Sequence, residues 1–344
     1  MRIINAESKY LNANDVSPYQ FMEKAGRTCY KSEDKITAES SIKFVQRLLN
    51  SGHTAMLEHS HIILNMSEKP IKKIETILNE LSINTDTSEL SATSLRNYFN
   101  ITITDTECYL SGSFRSFINL FKYAPHDEEV LIGLYAILNN SYPELFPQES
   151  DILPAFEIRA TIKSRSEFVA DVNALFDEAT AKNIIMKHLV HTVQFTCDRG
   201  VSHEFVRHRP ASFAQESTRY CNYAQDKFNN EITVIRPCFW NEENVINDIS
   251  GNLLNRYMAW QSACEFAESQ YFKLLESDAT PQEARDVLPT SVKTEIIITA
   301  TENEWQHMIN LRYHGTTGKP HPQMIESMTL IYDELCKQSD NRLA

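Results

Sequence analysis

A short basic stretch runs from Cys197 to Tyr223, with the sequence CDRGVSHEFVRHRPASFAQESTRYCNY, in a chain whose net charge is −13. Its arginines and histidines are Arg199, His203, Arg207, His208, Arg209 and Arg219. Guanidinium groups stay charged and offer planar pairs of donors that match phosphate oxygens. The stretch therefore predicts binding of small polyphosphates or nucleotides, and of more than one. Salt bridges to the chain's many carboxylates are the alternative interpretation.

The composition narrows the class of protein. The chain has 344 residues, of which 42% are hydrophobic and 23% charged, which is typical of a globular protein. The negative net charge disfavours a general nucleic-acid binder, because such a protein needs a broad basic face. Neither GxGxxG nor GxxxxGK[ST] occurs among the eight glycines. A dinucleotide would therefore not bind in the Rossmann or P-loop manner.

The apolar and cysteine patterns bear on location. No apolar run approaches the roughly 20 residues that span a bilayer, and the first ten residues, MRIINAESKY, lack an apolar signal segment. The seven cysteines are scattered and form no CxxC pair. This pattern argues against a disulfide framework or a zinc knuckle, and it predicts a cytoplasmic protein without a membrane partner.

One stretch approximates the HExxH signature of zinc proteases but predicts no metal. It runs from His203 through Glu204 to His208, so the two histidines are five residues apart instead of four. At about 100° per residue, such a pair points some 140° apart on a helix and does not share an ion.

Local patterns predict the elements that position these residues. Capping boxes at Ser17 and Thr280 predict helices that begin at the following proline. Alternation over Leu189–Cys197 predicts a half-buried strand, and Ser202 is expected to cap a short helix after it.

Further along the chain, Glu242–Ser277 reads as one long helical tract, Lys293–Thr299 as a β-branched strand, and Thr301 as the cap of the next helix. The RHR segment reads as extended, with Arg207 and Arg209 on one side and His208 on the other. No low-complexity run or clear repeat is evident in the sequence.

Several of these residues together resemble a known family. Arg207-His208-Arg209, seven further residues and then Ser217, followed by Arg219-Tyr220, resemble the RHR-x7-S motif of flavin-dependent thymidylate synthases. The stretch from Gly52 to His59 resembles the family's GHxSxxEH segment, with Ala55 in place of the usual hydroxyl.

Two later segments are also similar to that family. Ala284-Arg285 and Leu288-Pro289 match its AR-x-x-LP pattern, and Trp305, His307 and Arg312 match its W-x-H-x-x-x-x-R pattern. Asn303 stands where relatives commonly have an arginine.

The resemblance implies an activity and an architecture. The activity is reductive methylation of dUMP to dTMP, in which methylenetetrahydrofolate supplies the carbon and NADPH supplies the electrons through FAD. The fold is α+β, an antiparallel β-sheet core flanked by helices, and the assembly is a homotetramer. The resemblance covers about 1–66 and 186–338 of a single catalytic domain, 1–344. Residues 67–187 are then predicted to be an ordered mixed α/β insertion.

The resemblance also implies roles for individual residues. Arg312 is the expected catalytic residue, which stabilises the ionised uracil ring, and His53 lies on the folate side. The expected dUMP-binding residues are Glu204, Phe205, Val206, Arg207, Gln215, Glu216, Ser217, Thr218, Arg219, Arg285 and Arg312. The expected FAD-binding residues are Ala55, Glu58, Arg207, His208, Arg209, Gln215, Thr301, Asn303 and His307.

Two other classes of function stay open at this point. One is a nucleotide-binding regulatory protein on the same scaffold. The other is a cysteine-dependent nucleotide transferase, because Pro237-Cys238 resembles the nucleophile dipeptide of the thymidylate synthases that use no flavin. A further hypothesis concerns Arg115, which we expect either to supply the positive charge that Asn303 lacks or to be an ordinary solvated helix residue.

Overall fold

The computed structural model describes residues 1–37, 39–83, 96–124, 128–147, 158–243, 245–247, 250 and 253–344. The strands are β1 Arg2–Ile4, β2 Glu7–Leu11, β3 His61–Met66, β4 Phe99–Ile103, β5 Cys108–Ser113, β6 Ala160–Lys163, β7 Val190–Asp198, β8 Ser212–Gln215, β9 Thr233–Ile235, β10 Val245–Asn247, β11 Leu253–Asn255 and β12 Lys293–Thr301. The helices are α1 Pro18–Tyr30, α2 Ser40–Asn50, α3 Glu68–Ile83, α4 Phe114–Tyr123, α5 Glu129–Ser141, α6 Arg165–Leu175, α7 Glu178–His188, α8 Arg199–Phe205, α9 Arg256–Glu276, α10 Pro281–Ala284, α11 Glu302–Arg312 and α12 Pro322–Gln338.

Two antiparallel four-stranded sheets form the centre of the described part of the chain. One has the order β2-β7-β12-β8 and the other the order β4-β5-β3-β6. In the first, β7 and β12 pair over nine residues each, from Val190 opposite Thr301 to Asp198 opposite Lys293. Antiparallel sheets with flanking helices agree with the predicted α+β architecture.

Each sheet has its own hydrophobic core. Side chains of β3, β4 and β5 pack with α3, α4 and α5 in one core. Side chains of β7 and β12 pack with α8, α11 and α12 in the other. Trp305 is fully buried there, and its indole Nε1 donates to the carbonyl of His191 at 3.0 Å. A Trp buried with its N–H satisfied fixes α11 against the sheet, and with it every side chain that α11 presents.

The predicted helix starts are confirmed where a local cap defines them. Ser17 and Gln20 form a capping box at α1, and Thr280 and Glu283 form one at α10. Thr301 caps α11, and its Oγ1 accepts from the Glu304 amide at 3.4 Å.

The expected cap at Ser202 is wrong. Asp198 is the N-cap of α8, and its Oδ1 accepts from the Val201 amide at 2.8 Å. Ser202 lies inside the helix and donates to the carbonyl of Arg199 at 3.0 Å. The carboxylate at the end of β7 precedes the serine in the chain and satisfies a free amide of the first turn, so the helix starts four residues earlier.

The single helical tract predicted over Glu242–Ser277 is also wrong at its start. β10 and β11 form an antiparallel hairpin, and α9 begins only at Arg256. Asn255 is its N-cap, with Oδ1 accepting from the Met258 amide at 3.0 Å. An asparagine whose side chain bonds a nearby backbone amide favours the start of a helix over its interior. Asn255 therefore separates the hairpin from α9.

Residues 67–187 include strands of a sheet that begins outside them. β5 pairs with β3 along the whole of β3, from His61 opposite Ser113 to Met66 opposite Cys108. The assignment of 67–187 as an insertion in one domain stays a prediction. In the part of the chain that the structure describes, we find no helix with both the length and the apolar character to cross a bilayer.

Candidate active site

Arg312, the last residue of α11, is held by two partners from the basic stretch. Its Nη1 donates to Glu204 Oε2 at 2.5 Å, its Nη2 to the Glu204 carbonyl at 3.3 Å, and its Nε to His208 Nε2 at 3.0 Å. About one fifth of the side chain is exposed. Three charge-assisted hydrogen bonds hold the guanidinium in one position while part of it remains open to a ligand.

His208 must be neutral to accept from Arg312. Burial, followed by the positive charge of Arg312 and by the neighbouring His307, lowers the pKa of His208 to about 4. At neutral pH its Nε2 is therefore an acceptor and its Nδ1 carries the proton. The rings of His208 and His307 meet edge to face, 5.7 Å apart. The structure thus brings four predicted site residues together: Glu204, His208, His307 and Arg312.

The loop after β8 carries the candidate phosphate ligands. Ser217 is anchored by its amide, which donates to the Cys29 carbonyl at 3.0 Å, and its Oγ accepts from the Arg219 amide at 3.3 Å. Arg285 lies 68 residues later in the chain than Ser217, yet its Nη1 donates to Thr218 Oγ1 at 3.4 Å. The fold therefore joins the AR-x-x-LP and RHR-x7-S segments.

Arg207 and Arg209 both lie exposed on either side of the buried His208. The predicted alternation of sides is confirmed, but the predicted extended conformation is wrong for this segment. Residues 206–211 form a turn and a bend, and β8 begins only at Ser212. The turn follows directly from the end of α8, where the His208 amide donates to the Phe205 carbonyl at 3.0 Å.

Two predicted dUMP-binding residues contribute to the core. Phe205 is fully buried, and its ring lies 4.5 Å from that of Phe195. Val206 is half-buried and packs against the same core. The Phe205 side chain is therefore not accessible, and only its backbone can contact a ligand.

Gln215 and Glu216 are both held by β12, and Gln215 is also held by α8. Gln215 Nε2 donates to Ser202 Oγ at 2.8 Å and to Thr294 Oγ1 at 3.2 Å. Glu216 is buried and accepts from Lys293 Nζ at 2.8 Å. These contacts fix the strand that leads into Ser217.

Lys293 belongs to an ion cluster that the sequence did not indicate. Its Nζ also lies 2.8 Å from Glu295 Oε1, which in turn is 2.6 Å from Lys31 Nζ. Burial would raise the pKa of Glu295, but the Lys293 and Lys31 ammonium groups outweigh it and hold the pKa at about 2. Lys293 and Glu295 are on β12 and Lys31 follows α1, so only tertiary structure unites them.

The 3₁₀ turn Thr54–His59 carries the other predicted flavin-side residues and packs against β8 and β12. His53 and Ala55 are exposed. Glu58 forms an ion pair with Arg115, which lies in the first turn of α4. The Arg115 guanidinium is therefore placed at a predicted flavin-binding carboxylate.

A cavity of about 170 Å³ lies between the N-termini of α4 and α11. Thr301 and Asn303 line it, as do residues that the sequence did not single out. These additional polar or charged lining residues are His61, Asn97, Tyr98, Asn100, Ser113, Ser116, Lys187, Ser212, Thr299 and Glu304. They come from strands and helices spread along the chain from β3 to α11, so no sequence motif connects them.

Two buried atoms at this cavity have no hydrogen-bond partner among the described residues: His61 Nδ1 and Glu304 Oε2. Burial lowers the pKa of His61 to about 4, so its ring is neutral. A buried polar atom without a partner costs stability unless a ligand or water satisfies it. Among the described residues we find no group of three His, Cys, Asp or Glu side chains arranged to hold a metal ion.

Residues 153–337, more than half of the chain, match the family model Thy1, described as thymidylate synthase complementing protein. The chain belongs to this family. The match begins before the RHR segment and ends in α12.

Similar proteins carry a consistent name. The chain is 32% identical over 159 residues to a flavin-dependent thymidylate synthase of Pyrococcus furiosus. The aligned region covers 46% of this chain and 59% of that protein. The chain is also 27% identical over 146 residues to one of Geobacter sulfurreducens, covering 42% and 57%. The chain therefore spans a little over half the length of these relatives. Among solved structures, a UMP/dUMP methylase PolB from Streptomyces cacaoi bound with 5-Br dUMP matches with a TM-score of 0.38 and 20% identity, covering 50% of this chain and 81% of that one.

Proposed function

We propose that this protein is a flavin-dependent thymidylate synthase, which converts dUMP to dTMP with methylenetetrahydrofolate as the carbon donor and NADPH as the electron donor. The observation that carries the proposal is the Arg312 guanidinium, which is fixed by Glu204 of α8 and by His208 of the RHR-x7-S segment and remains partly open. The family membership and the names of the relatives support it.

Arg312 is the proposed catalytic residue. Carbon C5 of uracil is a weak nucleophile until the ring gains electron density, and a fixed cation beside N3 and O2 stabilises the ionised ring. Because Glu204 and His208 already hold the guanidinium, it needs no reorganisation when charge develops. His208 stays neutral in this arrangement and adds no competing positive charge.

The phosphate of dUMP is proposed to bind at Ser217, Thr218, Arg219 and Arg285. Arg285 already contacts Thr218, and Arg219, the residue after Thr218, is exposed. Arg285 lies in the turn after the short helix α10, so the loop and this turn face a common anion. Gln215 and Glu216 position the loop from the strand that precedes it.

FAD is the proposed cofactor, held by Arg207, His208, Arg209, Thr301, Asn303 and His307, with Glu58 and Ala55 on the other side. The cavity beside Thr301 suits a phosphate group of such a cofactor, because the N-termini of two helices favour phosphate, and His61 Nδ1 and Glu304 Oε2 are polar atoms there without a partner among the described residues. When bound, FAD would supply the hydride chemistry. The chain's own residues bind and orient the reactants.

The remaining assignments follow the same proposal. His53 is exposed on the turn that packs against β8, where it is available to folate. We propose a cytoplasmic homotetramer, without nucleic-acid or membrane partners. Arg115, which is ion-paired to Glu58, is proposed to supply positive charge on the flavin side where Asn303 supplies none.

The purified protein tests the proposal directly. We expect a yellow protein with flavin absorption bands that oxidises NADPH and forms dTMP from dUMP and methylenetetrahydrofolate. A colourless protein that binds dUMP but forms no dTMP when FAD is added would contradict it and favour the regulatory alternative. No observation on the structure favours that alternative over the enzyme.

Ser217→Ala distinguishes a binding role from a nucleophilic one. The Ser217 hydroxyl accepts from the Arg219 amide, an arrangement that orders the loop. We expect the KM for dUMP to rise about tenfold while measurable kcat remains, since a neutral hydrogen bond contributes about 0.5–1.5 kcal/mol. Complete loss of dTMP formation with dUMP and FAD still bound would identify Ser217 as a nucleophile.

Cys238→Ser tests the transferase alternative in the same assay. Cys238 is exposed overall, but partial desolvation of its thiol, together with the nearby Glu326 carboxylate, raises the pKa of Cys238 to about 11. A thiol of that pKa is a thiolate in only about one molecule in 10⁴ at pH 7. We therefore expect Cys238→Ser to leave kcat within about twofold, and loss of activity would contradict the flavin mechanism.

A further inference from the structure

The two four-stranded sheets have the same order and the same register. When the order β4-β5-β3-β6 is compared with the reversed order of the other sheet, β8-β12-β7-β2, each strand has a counterpart at the same place in the other sheet. One row across the first sheet is Asn100, Ser111, Ile63 and Lys163. The corresponding row across the second is Ser212, Thr299, Thr192 and Leu11.

The helices that follow the central strands also correspond. Ser113 ends β5 and caps α4 by accepting from the Ser116 amide at 3.2 Å, as Thr301 ends β12 and caps α11. The first amide of each helix, that of Phe114 or Glu302, donates to a carbonyl just before the paired strand, at 3.1 Å and 3.0 Å. Four residues beyond each cap lies a fully buried aromatic side chain, Phe117 or Trp305.

Two buried histidines link the sheets reciprocally. His59, two residues before β3, bonds through Nδ1 to Thr299 Oγ1 of β12 at 2.8 Å. His188, two residues before β7, bonds through Nδ1 to Ser111 Oγ of β5, also at 2.8 Å. Each histidine lies just before a central strand of one sheet and bonds a central strand of the other sheet. A local two-fold axis requires this reciprocal pattern.

The outer strands are exchanged between the two sheets. β2 comes before β3 in the chain but pairs with β7, and β6 comes before β7 but pairs with β3. In both cases two helices follow the exchanged strand, α1 and α2 or α6 and α7, and lead to the next central strand. The Thy1 match, 153–337, coincides with the second of these two chain segments.

We propose that the chain is an internal duplication: residues 1–147 and 158–344 are two copies of one β/α unit, related by a local two-fold axis and interlocked by exchanged outer strands. We call these copies the first half and the second half. In this division, 67–187 is not an insertion. It is the end of the first half followed by the beginning of the second.

The two halves differ at the candidate site. In the first half, β4 and β5 are joined by the short turn 104–107, whereas 216–292 join β8 and β12 and carry Ser217, Arg219 and Arg285. Ala124 stands eleven residues after the cap Ser113, where Arg312 stands eleven residues after Thr301. The first half therefore has neither the phosphate loop nor the catalytic arginine.

The charges also differ at a second pair of positions. The first half has Glu58 and Arg115, which form an ion pair. The corresponding residues of the second half are Lys187 and Asn303, which both line the cavity between the helix N-termini. The duplication thus retains an ion pair on one side of the axis and presents a cation and an amide to the cavity on the other.

Division of labour follows from these differences. The second half carries the proposed dUMP site, and the first half is its permanently attached partner, which supplies Ser113 and Ser116 to the shared cavity. This inference about binding rests on the proposed function, whereas the duplication itself does not.

Native-state hydrogen exchange of the full chain tests the duplication. If the halves are interlocked copies, the slowest amides of β5 and β12 open only in global unfolding, with protection factors equal within about threefold. An inserted segment on an independent core would open separately. Amides of β5 that exchange at least 100-fold faster than those of β12 would overturn the proposal.

Substitutions at the reciprocal hydrogen bonds sharpen this test. We expect Ser111→Ala and Thr299→Ala each to lower protection about tenfold in both strands, because each leaves a buried histidine nitrogen unpaired across the axis. The matched controls are Thr76→Ala and Thr329→Ala, whose exposed hydroxyls each donate within one helix, and these should leave both strands unchanged. An effect confined to the strand that carries the substitution would contradict the interlocked arrangement.

Equilibrium binding of dUMP tests the division of labour. We expect one dUMP per chain, and Arg219→Ala should weaken it severely. Two dUMP per chain would overturn the assignment of a single site. Absence of any dUMP binding would contradict the proposed function instead, and the exchange measurements would still decide the duplication.

Discussion

Arg312→Ala is expected to lower kcat by about 10²–10³ while dUMP still binds, because a fixed donor that meets developing charge has effects of that size. The guanidinium stands at the end of α11, and Glu204 and His208 hold it at 2.5 Å and 3.0 Å. Its role lies in the transition state, so kcat and kcat/KM should fall together. Steady-state rates of dTMP formation, with flavin content measured in parallel, provide the test.

A structural role for Arg312 would give a different pattern. Arg312→Lys keeps the charge but loses the planar fork that reaches Glu204 and His208 together, so we expect it to recover only part of the activity. Added guanidinium should partly restore Arg312→Ala, since the vacated position keeps its two acceptors. A kcat within tenfold of the original protein, or loss of flavin in both variants, would contradict the catalytic assignment.

Elements set by neighbouring residues were predictable from sequence. The capping box at Ser17 needs only Gln20, three residues on, and the cap at Thr301 needs only the Glu304 amide. The errors arose where two local signals compete. Asp198 and Ser202 both suit an N-cap, and the carboxylate that comes first in the chain takes the amide.

The duplication was not predictable, because little sequence identity connects its halves. The corresponding positions hold Glu58 and Lys187, and Phe117 and Trp305. What the halves share is backbone register, helix capping and burial, which several residue types satisfy equally well. His59 and His188 are identical, but their equivalence is evident only once both are seen to bond the opposite sheet.

The residues of the candidate site were predictable from the sequence, but the contacts between them were not. Sequence patterns indicated Glu204, His208 and Arg312, but their mutual contacts join α8 and the turn after it to the end of α11, about 100 residues later in the chain. Sequence gave no signal for Lys187 or His61 at the cavity, because each is a single polar residue beside a buried strand. The arrangement of the site therefore depends on contacts between residues that are distant in sequence, which motif spacing does not indicate.

Replacing Arg207 and Arg209 together with alanine is expected to give a folded, colourless protein. Both side chains are exposed on either side of His208, so neither supports the core. A hydrogen bond to a charged group contributes about 1.5–3 kcal/mol, and loss of two such contacts predicts an FAD dissociation constant raised about 10²–10⁴-fold. Absorption of the purified variant and titration with FAD measure the effect, and circular dichroism verifies the fold.

The matched control is Arg159→Ala with Arg256→Ala, which removes two equally exposed arginines outside the site. Both double variants change the net charge by −2, so a general electrostatic effect on an anionic cofactor would appear in both. We expect only the Arg207 and Arg209 variant to lose FAD, and the difference to be largest at low ionic strength, where charge pairing is least screened. Stoichiometric FAD in that variant would show that the turn after α8 does not hold the cofactor phosphates.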